Sequence, residues 1–214
     1  MEFFILDSKL FDDRDFAYGE QVDQKTAEPE KKDICSACGV AMGPRKWLSP
    51  RRVKLSKPSY GDVVHGSFSK FLVSSRFKEL YEKSGLQGIN RFDSVEIAKV
   101  LRKKVSSPEP PDYFQVQVDH GETLMIPERS PGFIFTRKPS CSACRIGTIA
   151  TYDGIFLDPD TWDGKHIFIP NGLPGTIAVT EEFLAFLNES QLTNMVFEPA
   201  ISYKAPWSRN RASK

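Results

Sequence analysis

The tetrapeptide CSAC stands at residues 35–38 and again at 141–144, as Cys35-Ser36-Ala37-Cys38 and Cys141-Ser142-Ala143-Cys144. These are the only cysteines in a chain of 214 residues. A CxxC can form a turn that aims both sulfurs at one metal. Two such pairs supply four thiolates, the ligand number of a closed structural zinc site. The three histidines, His65, His120 and His166, are too few and too scattered in sequence to complete two separate sites. The simplest arrangement is one Zn2+ held by Cys35, Cys38, Cys141 and Cys144. A redox CxxC normally opens a helix whose N-terminus lowers the thiol pKa. Here the pairs run into GVAMGP and RIGTIA, which read as turns and strands. Disulfides and an iron–sulfur cluster are the remaining, lesser alternatives. Gly39 follows the first pair and can relax the backbone of the turn. Arg145 follows the second, which leaves Gly147 to take the turn there.

The two copies lie 106 residues apart, and a repeat search at that offset finds more than cysteines. FLVSSRFKELYEKSGL (71–86) falls on IAVTEEFLAFLNESQL (177–192), with Val73 on Val179, Phe77 on Phe183 and Leu86 on Leu192. Both segments read as a short apolar strand, an N-cap (Ser74 or Thr180) and a short helix. Phe77, Leu80 and Tyr81 share one helical face, as do Phe183, Phe186 and Leu187. Gly85 ends the first helix. Strands are expected at Phe3–Leu6, Val53–Leu55, Tyr113–Val118, Phe133–Phe135, His166–Ile169 and Met195–Phe197.

The expected fold is therefore α+β, built from two related zinc-ribbon-like halves joined at a shared four-cysteine site. The N-terminal half covers 1–106, with a helix near 75–84. The C-terminal half covers 107–204, with a helix near 181–189. The proline-rich SSPEPPD (106–112) marks the linker, and 205–214 is expected to be a loose tail.

Composition bounds the function. A net charge of +1 leaves no global field to draw the chain onto nucleic acid or an anionic membrane. No segment approaches the length of a membrane helix, and the start lacks the pattern of a secretory signal. The cytoplasm, where thiols stay reduced, is the expected location. No GxSxG, P-loop, HExxH or glycine-rich dinucleotide pattern occurs, so no catalytic residue is assigned. Paired acids such as Glu181-Glu182 read as helix-opening residues. One charge feature favours nucleic acid. Arg45, Lys46, Arg51, Arg52, Lys54 and Lys57 form a run of six bases without an acid. A solvated basic face is the plainer explanation, since nucleic-acid domains are usually strongly basic.

The ordered set of first knuckle, SSRFKELYEKSGLQGI, second knuckle, TWDGKHIFIPNGLPGTIAVTEEFLAFLNESQLTN resembles the bacterial double-CXXCG motif family, over about residues 2–203. Arg145 departs from that motif. The resemblance implies an immunity protein of a polymorphic toxin system. Such a protein is non-enzymatic and binds and neutralises a cognate toxin. If that toxin is a basic nuclease, the acidic stretch with Asp12, Asp13, Asp15 and Glu20 is a reasonable contact. The alternative is a nucleic-acid-binding zinc ribbon that uses Arg45, Lys46, Arg51, Arg52 and Lys54.

Overall fold

A computed structural model describes residues 1–7, 14–22, 25–67 and 71–209. The first part of the chain forms β1 (Phe3–Leu6), β2 (Gly19–Gln21), β3 (Thr26–Ala27), β4 (Lys46–Trp47), β5 (Arg51–Leu55), β6 (Val63–Val64) and β7 (Leu72–Ser74). Helix α1 (Ser75–Ser84) follows, then β8 (Ile89–Val100), β9 (Tyr113–Val118) and β10 (His120–Leu124). The rest forms β11 (Ile134–Arg137), β12 (Thr148–Thr151), β13 (Ile167–Asn171), β14 (Ala178–Thr180), α2 (Glu181–Glu189), β15 (Phe197–Pro199) and α3 (Pro206–Arg209). The class is α+β.

Two larger sheets carry the core, in the orders β2-β5-β8-β9-β7-β6 and β10-β13-β14-β1-β15. Four strands of each follow one plan. In the first, β6, β9 and β8 build outward from β7 by antiparallel pairing. In the second, β13, β1 and β15 are arranged about β14 in the same way. Register agrees too: Ser74 faces Tyr113 and Thr180 faces Phe3. Asp93 faces Gln115 and Glu198 faces Ile5. Strand β1 thus lies in the sheet of β14, and β9, which follows the 106–112 connection, lies in the sheet of β7. The boundary between 106 and 107 does not separate the two sheets, because each takes a central strand from across it.

The helices form because their apolar faces meet. Phe77, Tyr81, Phe183 and Leu187 are all buried. Phe77 meets Phe186 edge-on at 6.1 Å, and Tyr81 meets Phe183 at 6.4 Å. Fully burying a phenylalanine stabilises by roughly 1.5–3 kcal/mol, so this junction is a main component of the shared core. Ser74 caps α1 by accepting from the Phe77 amide at 3.1 Å, and Gly85 ends it at φ +75°. Thr180, expected to cap α2, makes no such bond. Its side chain is fully buried. Glu181 and Glu182 do occupy the first turn.

Two further expectations shift. The last strand is Phe197–Pro199 rather than Met195–Phe197. Asn194 is held in a left-handed turn (φ +67°) by donating to the Val63 carbonyl at 2.7 Å, so pairing with β1 starts beyond it. Of the tail expected to be loose, residues 205–208 are docked, and 210–214 lie outside the described residues. Ala205 is fully buried, and Trp207 donates from Nε1 to the Ala150 carbonyl at 2.7 Å while meeting Tyr152 edge-on. No helix among the described residues is long and apolar enough to cross a membrane.

Candidate metal centre

Each CSAC lies in the loop that joins the strands of a two-stranded ribbon, β3–β4 for the first and β11–β12 for the second. The loops close alike. Gly39 donates its amide to the Cys35 carbonyl at 2.8 Å, and Arg145 donates to the Cys141 carbonyl at 3.0 Å. Both residues are left-handed, at φ +75° and +54°. Gly147 therefore does not take the second turn. It is required for close approach instead: a Cβ there would stand 2.7 Å from the Arg137 carbonyl oxygen.

The knuckles bring equivalent cysteines face to face. Cys35 and Cys141 sulfurs are 4.0 Å apart, and Cys38 and Cys144 sulfurs 3.7 Å apart. All four sulfurs lie within 4.8 Å of one another. A disulfide requires about 2.05 Å, and all four thiols are free. A tetrahedron of sulfurs about a metal at roughly 2.3 Å has edges of about 3.8 Å. The donor set and its spacing thus fit a four-coordinate metal ion, and the sequence-derived ligands Cys35, Cys38, Cys141 and Cys144 are brought together.

Local backbone divides the thiols. Cys141 accepts from the Cys144 and Ala143 amides and is brought down to about 7. The Ala37 and Cys38 amides lower Cys35 in the same manner. Burial pushes Cys144 up. Cys38 accepts from the Val40 amide, but burial and the neighbouring sulfurs outweigh that bond and push it up to about 12. Four crowded sulfurs resist common ionisation, and a bound cation removes that resistance.

A cleft of about 420 Å3 opens beside Cys35 and Cys144, with Lys31, His120 and Asn171 among its walls. His120 pairs through Nε2 with Asp33 Oδ1 at 3.2 Å, joining the segment before the first knuckle to β10. The pairing carried no sequence signal, since 87 residues separate the partners. His65 contacts the Asn194 carbonyl through Nε2 at 2.9 Å, and His166 accepts from the Gln87 amide at 3.1 Å. None of the three histidines belongs to the cysteine cluster.

The basic run is engaged throughout. Arg45 pairs with Glu28, Lys46 with Glu30 at 2.9 Å and Arg51 with Asp93 at 3.2 Å. Arg52 pairs with Glu96 at 2.9 Å and Lys54 with Glu20 at 2.6 Å. Lys57 donates to the Arg14 carbonyl at 2.6 Å. Glu30 and Asp93 are further bridged by Arg91, at 3.0 and 3.1 Å. Sequence shows the bases but not these acids, which arrive from β2, β8 and the segment before the first knuckle. Glu20, a suggested partner contact, is thereby paired with Lys54. Asp15 is exposed, and Asp12 and Asp13 lie outside the described residues.

No family model matches the chain, and no curated protein matches its sequence.

Proposed function

We propose that the chain is a non-enzymatic, zinc-stabilised binding protein of the cytoplasm. In this reading it is an immunity protein that captures and neutralises a cognate bacterial toxin. The observation that carries the binding-protein reading is the convergence of all four cysteine sulfurs, from two knuckles, within 4.8 Å. Zn2+ suits four thiolates at that spacing. With all four sulfurs committed to a closed centre, the thiols serve the scaffold, and action lies with the surface. The toxin-neutralising part rests on the resemblance to the double-CXXCG family.

The same reading makes the two halves products of a duplication. Each half consists of a ribbon with its knuckle, a strand–helix unit and a leading strand exchanged into the other half's sheet. Matching pairing registers and the equivalent positions of the cysteines support this. The metal and the helix junction then join equivalent parts. The nucleic-acid alternative loses its footing where Arg45, Arg51, Arg52 and Lys54 face acids.

Elemental analysis of the purified chain should give one zinc per molecule. Co-expression with a toxic gene product encoded beside it should restore growth. Growth arrest that persists, with no complex between the two proteins, overturns the immunity reading.

A further inference from the structure

The bases of the second ribbon stand differently from those of the first. From Ser130 to Tyr152 the chain carries Arg137, Lys138 and Arg145 and no acid. Among the described residues none of these three makes an ion pair. A groove of about 750 Å3 runs along this ribbon. Phe133, Ile134 and Phe135 line it, Lys138 and Arg145 add two cations, and Glu128 is its one acid. Its apolar lining is braced: Phe135 meets Phe133 at 4.9 Å, and Phe133 stacks on Tyr152 at 5.8 Å. Ile134 is left 55% exposed.

Arg145 supplies an independent sign. It holds a left-handed backbone that disfavours any residue with a Cβ. The equivalent position of the first knuckle is Gly39. Strain of this kind collects where a side chain serves a site. Here the strained residue lines the groove, and its side chain ends in a guanidinium, a planar fork suited to carboxylates.

We propose that this groove is the docking site for a partner protein's segment that carries carboxylates beside an apolar side chain. The carboxylates pair with Arg145 and Lys138, and the apolar group lies against Ile134 and Phe135. Glu128 would repel a uniformly anionic strand, and the balanced net charge offers no field for one, which disfavours nucleic acid. The proposal deepens the binding-protein reading by naming the surface and the partner's chemistry.

The test uses the full, metal-loaded chain and three fluorescent probes. These are a short peptide alternating Asp or Glu with Leu or Phe, its Lys-substituted counterpart, and a short oligothymidylate. Polarisation should show the acidic peptide binding at least about tenfold more tightly than either other probe. Lys138→Glu and Ile134→Asp should each weaken it about tenfold or more. Arg145→Gly, which relieves the backbone and keeps the fold, should weaken it severalfold. Arg52→Glu, on the first ribbon's side, should change it less than about twofold. Absence of acidic preference, equal loss from Arg52→Glu, or tighter binding of oligothymidylate would each overturn the proposal. Co-expression separates the two readings. A wild-type chain that fails to protect sinks the immunity reading alone. A Lys138→Glu chain that protects as well as the wild type sinks the groove as the inhibitory surface.

Discussion

The two ribbons present the same knuckle in opposite electrostatic settings. Around the first, six bases meet acids or a carbonyl supplied by β2, β8 and neighbouring loops. Around the second, Arg137, Lys138 and Arg145 make no ion pair among the described residues. The first ribbon is tied to the large sheet through Glu30, which pairs with Arg91 of β8. The second keeps its charge open beside an apolar groove. A basic stretch in sequence therefore says little until its partners are located, since a run of six cations can be fully internal business while three scattered ones remain available.

The shared centre gives the strongest way to break the comparison. Cys38→Ser and Cys144→Ser, one in each knuckle, should be equally damaging. A structural zinc site contributes on the order of 10 kcal/mol against a total stability of about 5–15 kcal/mol. Each variant should thus lose most of its cooperative folding, and a strong chelator should do the same to the wild type. Thermal and denaturant unfolding measure it. A centre in which only one knuckle matters would show two unequal losses.

Charge at the two ribbons should separate next. Arg51 and Asp93 are nearly buried, with side chains 10% and 14% exposed. Removing one member of such a pair leaves the other uncompensated, so Asp93→Ala should cost about 3 kcal/mol. Lys138→Ala, which breaks no ion pair, should stay within about 0.5 kcal/mol. Urea unfolding of both variants decides it, and similar values would erase the distinction.

The turn residues come third. Gly39→Arg should cost about 1–2 kcal/mol, because the left-handed backbone crowds a Cβ. Arg145→Gly should gain up to about 1 kcal/mol by relieving the same crowding. Opposite signs from the reciprocal exchange would show that the knuckles share one backbone geometry. The left-handed turn at Arg145 is not legible in sequence, because a residue with a Cβ signals against one and Gly147 stands two residues on. What was legible had local or periodic causes: four ligands in two identical turns, helix faces at i, i+3 and i+4, and a glycine at a helix end. What was not legible depends on distant chain. The exchange of β1 and β9 between sheets, the Asp33–His120 pair and the acids facing Arg51 and Arg52 all join residues 42 or more positions apart, or strands from opposite sides of the 106–112 connection. Alternating apolar residues specify that a strand is buried on one face, without specifying which sheet receives it.

The smallest effect is a pH dependence confined to the first ribbon. Glu30 accepts from Arg91 and Lys46, which together hold its carboxyl down to about 2 from an ordinary value near 4.5. A carboxylate depressed on folding contributes stability that is present above its unfolded pKa and lost as pH falls through the folded one. The window is therefore about pH 4.5 to 2. With its side chain 24% exposed, Glu30 is partly screened by solvent, and the contribution should be under about 1 kcal/mol. Glu30→Gln should lower stability at neutral pH by that amount and flatten the loss across the window. Lys138→Gln on the second ribbon should leave the acid limb unchanged. Chemical denaturation repeated at intervals through the window tests both. If the Glu30→Gln curve runs parallel to the wild type down to pH 2, the network from Lys46 through Arg91 to Asp93 does not brace the first ribbon.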